Sequence, residues 1–223
     1  MIWIYLSPHL DDAALSCGGL IWEQNQIGQT AEIWTICAGD PPEATLSPFA
    51  RSLHARWQTP KDAVSERRRE DQRSCQILNA AWRHLPVQDC IYRRAHAGGL
   101  LSQKADGPYL YTSEASLTGP LHPSETSLVE AISRELAGSL PDGSNLVCPL
   151  AIGGHVDHRL TRLAGEKLDR PLWYYADFPY VLENMDHHST FFQKGKMIHI
   201  FQDIGKIGII PDRQAQVFSS RTG

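Results

Sequence analysis

The chain has 223 residues, 42% of them hydrophobic and 21% charged, which suits one large α/β domain and argues against disorder. Its formal charge of −4 at pH 7 supplies no basic field, so nucleic acid and an anionic membrane surface are not expected as partners. Five scattered cysteines with no C-x-x-C pair argue against a disulfide framework or a structural zinc knot, and read as buried reduced thiols.

In chain order, the apolar run Ile2 to Leu6 reads as a first strand. It has no basic start and is too short for a signal peptide. No stretch approaches the roughly 20 apolar residues of a membrane span, so a soluble, cytoplasmic protein is expected. Asp12 to Gln26 reads as a helix with Leu15, Leu20 and Trp22 among its apolar positions, and Ala31 to Ala38 as a second strand. Asp62 can cap a helix running to Leu78, followed by a short strand at Cys90 to Tyr92. A helix over Ser124 to Ala137, a strand at Leu146 to Leu150, a helix over Asp157 to Leu168 and a strand at Leu172 to Tyr175 complete the alternation. That rhythm predicts a single Rossmann-like three-layer α/β/α sandwich with a mainly parallel sheet over residues 1–223. Two segments rich in Gly, Pro and Ser, 41–60 and 94–123, read as long lid or binding loops. Beyond Thr190 the pattern fades, and a terminal helix over Lys206 to Val217 would be interrupted by Pro211.

Ligands of an open parallel sheet bind beyond the carboxyl ends of its strands. Three clusters fall at such ends, His9-x-Asp11-Asp12, Gly39-Asp40 and His155-x-Asp157-His158, and the first and third matter most. Adjacent carboxylates repel, and a divalent cation relieves that repulsion. A lone Asp-Asp could merely cap the following helix, but a cap has no use for His9. Asp157 at a helix start is compatible with both capping and function, and the helix dipole there favours a neutral, metal-competent His158. Gly153 and Gly154 would let the backbone approach the site closely. His9, Asp12 and His158 offer two nitrogens and one oxygen, the three-ligand count of a catalytic zinc. Iron(II) shares that donor set, whereas magnesium would prefer oxygen alone. The glycines Gly18 and Gly19 come a full turn too late for a dinucleotide fingerprint, and are expected to permit close helix–sheet packing.

Together these pieces resemble the PIG-L/LmbE family of metal-dependent N-deacetylases over roughly Ile2 to Tyr180. The family's His-Pro-Asp-Asp-Glu appears as His9-Leu10-Asp11-Asp12-Ala13, and its His-Pro-Asp-His as His155-Val156-Asp157-His158. Further support comes from Arg67-x-x-Glu70 and the strand leading into Asp177. The resemblance implies that His9, Asp12 and His158 hold zinc and that Asp11 is the general base. It implies that His155 stabilises the oxyanion or protonates the leaving amine, with Asp157 orienting it and favouring its charged form. Arg67 would touch the substrate, with Arg68 as a competing candidate and a solvated helix arginine as the plain alternative. Tyr174 and Asp177 are candidates for the site wall, and His54 and Trp57 for a lid over a sugar. Ala13 stands where the family has Glu, which leaves the ligands and base intact but puts the substrate class in doubt. The expected substrate is a small amino sugar or an N-acetylglucosamine-containing conjugate, and a homo-oligomer is compatible with the sequence. A metal-dependent phosphoesterase and a non-catalytic small-molecule binding domain are the rival readings. The first would want more cationic groups, and the second would have no need of Asp11 and His155.

Overall fold

The computed structural model describes residues 1–41, 46–57, 63–95, 107–183, 202–203 and 206–207. In chain order the elements are β1 (Ile2–Ser7), α1 (Asp12–Gln26), β2 (Thr30–Thr35), α2 (Pro48–Arg56), α3 (Ala63–Ile77) and β3 (Ala81–His84). They are followed by α4 (Thr126–Ser139), β4 (Asn145–Pro149), α5 (Val156–Glu166), β5 (Leu172–Tyr175), the single turn α6 (Tyr180–Glu183), β6 (Gln202–Asp203) and β7 (Lys206–Ile207). The first five strands form one sheet in the order β3-β2-β1-β4-β5, with every pairing parallel. β6 and β7 pair separately and antiparallel.

β1 is central and apolar along its length because both of its faces are covered. Ile4 and Leu6 join Leu146, Cys148, Leu160, Ala164, Leu136 and Ile132 in the core beneath α4 and α5. Trp3 and Tyr5 point the other way, into the core with Cys17, Ile21, Ile33 and Cys75 beneath α1 and α3. The predicted α/β/α sandwich is therefore the observed one. All five cysteines are free and buried, as expected.

Several expectations are corrected. α1 buries Ala13, Cys17, Ile21 and Gln24, which share one face of the helix, while Leu15 and Trp22 are exposed. The close-packing glycine is not in α1: a Cβ at Gly18 would meet Leu78 at an ordinary 3.5 Å, and one at Gly19 would meet nothing within 4 Å. It is Gly165 in α5, where a Cβ would lie 2.5 Å from the Cys148 sulfur. The 41–60 segment is not all loop. Ser47 accepts the Ala50 N–H at 2.9 Å and Pro48 opens α2, a cap and first-turn pair that starts a nine-residue helix. The expected strand at Cys90–Tyr92 is a 3₁₀ turn capped by Asp89, whose Oδ1 accepts the Ile91 N–H at 3.1 Å. α4 begins at Thr126, after a 3₁₀ turn over Pro123–Glu125. Lys206, expected to open a helix, pairs in β7 instead, and the rest of that predicted helix, like the Asp62 cap, lies outside the described residues.

The order of the strands positions the site. The chain runs outward from β1 through β2 to β3, then returns to β1's other side with β4. The crevice at this switch point is walled by the turns that follow β1 and β4, which carry the first and third of the predicted clusters.

Candidate metal centre and active site

The turn after β1 is tied down by Ser7, whose hydroxyl donates to the His9 carbonyl at 2.6 Å and accepts the Ala13 N–H at 3.0 Å. This separates the two adjacent aspartates. Asp12 turns inward, where its Oδ2 takes the His9 N–H at 2.8 Å and lies 3.0 Å from His9 Nδ1 and 3.3 Å from His158 Nε2. Asp11 turns outward at the start of α1, half exposed, with the Arg67 guanidinium 3.6 Å away. Ala13 is wholly buried in the core beneath α1, so the position where the family has Glu faces the sheet and not the mouth.

The turn after β4 brings its residues to the same place. Gly153 and Gly154 have φ of +84° and +73°, and a Cβ on Gly153 would lie 2.7 Å from the Tyr180 ring. His155 caps α5, its Nδ1 accepting the Asp157 N–H at 3.2 Å. The His155 ring stands edge-on to His9, with centroids 5.1 Å apart.

Each of the two inner histidines has a buried carboxylate on its far nitrogen. His158 Nδ1 lies 2.5 Å from Asp177 Oδ1, and the other Asp177 oxygen accepts the Ile152 N–H at 2.9 Å. His9 Nε2 lies 3.0 Å from Asp157 Oδ2, which also accepts the Cys90 N–H at 3.0 Å. A carboxylate accepts and does not donate, so in a neutral ring that ligates a cation through its other nitrogen, Nδ1 of His158 and Nε2 of His9 would carry the protons. In the neutral rings the lone pairs of His9 Nδ1 and His158 Nε2 then face Asp12 Oδ2. Three acceptors converging on one point fit a divalent cation. With protons alone to fill the gap, burial disfavours both imidazolium forms. Asp12 and its neighbours nevertheless hold His9 well above its usual pKa and raise His158 to about 9. Burial likewise opposes the Asp12 charge, but His158 and His9 keep its pKa well below the usual range.

Other donor sets lie close by. Ring nitrogens of His9, His155 and His158 fall within 4.8 Å of one another, as do ligand atoms of His9, Asp89 and Asp157 and those of Cys90, His155 and Asp157. We favour the set centred on Asp12, because its carboxylate oxygen lies between two imidazoles oriented from behind, whereas the Asp157 of the other carboxylate-bearing sets is already engaged by Arg93 and the Cys90 amide.

The expected partnership of Asp157 with His155 is corrected. The Asp157 carboxylate points into the protein, to His9, the Cys90 amide and the Arg93 guanidinium, and only its backbone N–H reaches His155. Nor is His155 held in its charged form: burial, then the neighbouring His9, lower its pKa to about 4. Asp177 is no wall residue, because it is fully enclosed behind His158. Tyr174 points into the core beneath α4 and α5, with its hydroxyl 3.0 Å from Glu166 at the far end of α5 from His158. His54 is buried in α2, 2.5 Å from the Tyr92 hydroxyl, so it packs beneath the mouth and does not cover it. Arg67 is at the mouth, between Asp11 and Trp57, whose ring centroid is 5.7 Å from the guanidinium carbon. Arg68, the competing candidate, is turned to Asp40 and the Ala38 carbonyl.

Sequence reasoning missed Asp89, Arg93 and Glu125. Asp89 Oδ2 lies 3.8 Å from His9 Nε2. Arg93 and Glu125, both buried, form an ion pair at 2.5 Å behind Asp157. An arginine and a glutamate 32 positions apart in loops give no local pattern. The one signal available was the Asp89-Cys90-Ile91-Tyr92-Arg93 run, which reads as a strand until Asp89 is recognised as a cap.

Residues 4–168 match the family described as PIG-L: GlcNAc-PI de-N-acetylase. The chain is 30% identical over 217 residues to a 2'-N-acetylparomamine deacetylase of Niallia circulans, covering 86% of this chain and 71% of the relative. It is also 30% identical over 193 residues to a 2'-N-acetylparomamine deacetylase of Streptomyces fradiae, covering 79% of this chain and 57% of that one. Among solved structures, the zinc-inhibited form of teicoplanin deacetylase Orf2 superposes with a TM-score of 0.67 at 29% identity, over 82% of this chain and 70% of that one.

Proposed function

The chain belongs to the PIG-L family of GlcNAc-PI de-N-acetylases and is an N-deacetylase, and we propose that it uses zinc to remove an acetyl group from the nitrogen of an amino sugar or a small glycoconjugate. The observation that carries the zinc reading is the position of Asp12 Oδ2, 3.0 Å from His9 Nδ1 and 3.3 Å from His158 Nε2, with both rings oriented from behind. His9, Asp12 and His158 would hold the ion. When bound, zinc supplies a Lewis acid that polarises the amide carbonyl and makes the attacking water more acidic.

The chain's own residues do the rest. Asp11 is the base that takes a proton from the attacking water. Partial burial and the Asp12 charge raise its pKa while Arg67 opposes the rise, which suits a group that must accept a proton and return it. His155 is neutral, and its Nδ1 is engaged by the Asp157 amide, so its Nε2–H is the donor available to the carbonyl oxygen as negative charge develops there. The water oxygen joins the acyl carbon, the C–N bond breaks, and the proton held by Asp11 passes to the departing amine. The products are acetate and a primary amine.

Support for an amino-sugar substrate comes from the two paromamine-derivative deacetylases and from the mouth itself. Trp57 is 38% exposed beside Arg67, an aromatic face and a cation of the kind that pack on a sugar ring and bind its hydroxyls. The test is elemental analysis of the purified chain together with primary-amine release from a panel of N-acetylglucosaminides. Stoichiometric zinc with amine release supports the reading, and iron in place of zinc would correct the ion. A chain that binds no metal, with wild type and His9→Ala indistinguishable, would overturn it.

A further inference from the structure

We propose that Arg93 and Glu125 are positioning residues for the metal centre: a buried ion pair that fixes the Asp157 carboxylate on His9 and thereby aims the His9 ring at Asp12. The proposal rests on His9 being a ligand, as argued above.

The chain of contacts is continuous, and its links from Tyr111 to Asp157 are buried. The Tyr111 hydroxyl donates to Glu125 Oε2 and accepts the His122 N–H at 3.2 Å. Glu125 Oε1 lies 2.5 Å from Arg93 Nε. A terminal nitrogen of Arg93 contacts Asp157 Oδ1, and also donates to the Gln88 carbonyl at 3.1 Å. Asp157 Oδ2 then reaches His9 Nε2 at 3.0 Å. Arg93 is 3% exposed, and Glu125 and Asp157 are 0% exposed.

A carboxylate this deep stays ionised only beside a fixed cation, and an ionised Asp157 can only accept. When His9 is the neutral ring that a ligand must be, acceptance from Nε2 leaves its lone pair on Nδ1, the atom that faces Asp12. Arg93 therefore selects the tautomer of a ligand it does not touch. Glu125 adds a second carboxylate to the same guanidinium, so the group behind His9 carries net negative charge, which strengthens the imidazole as a donor to a cation. Glu125 ends the 3₁₀ turn before α4, and Tyr111 lies in the preceding 94–123 segment that sequence patterning assigns to a loop. That segment also hydrogen-bonds the third cluster directly, through the Gly119 N–H to the Gly154 carbonyl at 2.9 Å.

The experiment measures zinc affinity by chelator competition on the full chain for wild type, Glu125→Gln, Arg93→Met, Arg93→Lys and Tyr111→Phe. Melting of the metal-free proteins and the visible spectrum of the cobalt(II) forms are recorded alongside. We expect Glu125→Gln and Arg93→Met to weaken zinc binding about 10–100-fold, with a changed cobalt spectrum. Arg93→Lys, which keeps the charge, should recover part of the loss. Glu125→Gln is near-isosteric and Tyr111→Phe removes one hydroxyl, so the proposal stays testable if Arg93→Met does not fold. Lower melting with zinc affinity and cobalt spectrum unchanged would mean that the pair only holds the fold, and the proposal would be wrong. Failure of the ligand reading looks different: His9→Ala would then bind zinc as wild type does.

Discussion

Asp11 and Asp12 are adjacent in sequence and occupy opposite environments: Asp12 lies between two imidazole nitrogens, while Asp11 is half exposed opposite Arg67. The turn fixed by Ser7 sends the two side chains apart, and on this separation rests the proposed division into a metal ligand and a proton acceptor.

The two aspartates should therefore fail differently. Asp11→Asn is expected to retain its metal and to lose about 10²–10⁴-fold in amine release, the range of a general base. Asp12→Asn should lose metal and activity together. Metal content and amine release on the same preparations check this. Loss of metal in Asp11→Asn, or full metal content in Asp12→Asn, would contradict the division of roles.

Asp177 and Tyr174 are both candidates that the sequence placed at the site wall, and the structure separates them. Asp177→Asn weakens the hold on His158 Nδ1, so zinc affinity should fall about 10–100-fold. Tyr174→Phe removes a contact with Glu166 at the C-terminal end of α5. It should cost about 1 kcal/mol of stability and leave zinc affinity and amine release at wild-type levels. Chelator competition and urea unfolding distinguish the two.

His155 tests which donor set holds the ion, because its ring nitrogens also lie within reach of His9 and His158. Replacement by Asn is the informative change, since Asn can still cap α5 in place of the His155 side chain. If the set centred on Asp12 is the right one, His155→Asn keeps its zinc and loses about 10²–10³-fold in rate through the missing oxyanion donor. Loss of zinc in this variant would instead make His155 a ligand.

The sheet and both site clusters were legible because each leaves a local trace. A strand buried on both faces is a continuous apolar run, as Ile2 to Leu6 is, and a histidine two or three residues from an aspartate at a strand end is a compact motif. What stayed illegible depends on packing at a distance. The inner face of α1 is made of Ala13, Cys17, Ile21 and Gln24, and a reading by residue size picks Leu15 and Trp22 instead. Asp157 looks like a partner for His155, two residues away, until the helix start turns its carboxylate toward His9 and Arg93. Glu125 could not be found at all, since only the folded chain brings it to Arg93.

The close approach of α5 to β4 gives a stability prediction independent of chemistry. α5 approaches β4 so closely at Gly165 that a Cβ there would lie 2.5 Å from Cys148 Sγ, with Leu6 the next neighbour at 3.6 Å. Both belong to strands that carry the site, and α5 carries His158, so the gap sets how deeply that histidine sits. Gly165→Ala should destabilise the fold by about 1–3 kcal/mol, the usual cost of overpacking, despite the better helix propensity of alanine. Cys148→Ala removes the obstructing sulfur and costs some packing of its own. The double variant Gly165→Ala/Cys148→Ala should therefore be more stable than Gly165→Ala alone, with an interaction energy of about 1 kcal/mol or more in a urea-unfolding cycle. Simple additivity of the two changes would show that Cys148 is not what the new methyl meets.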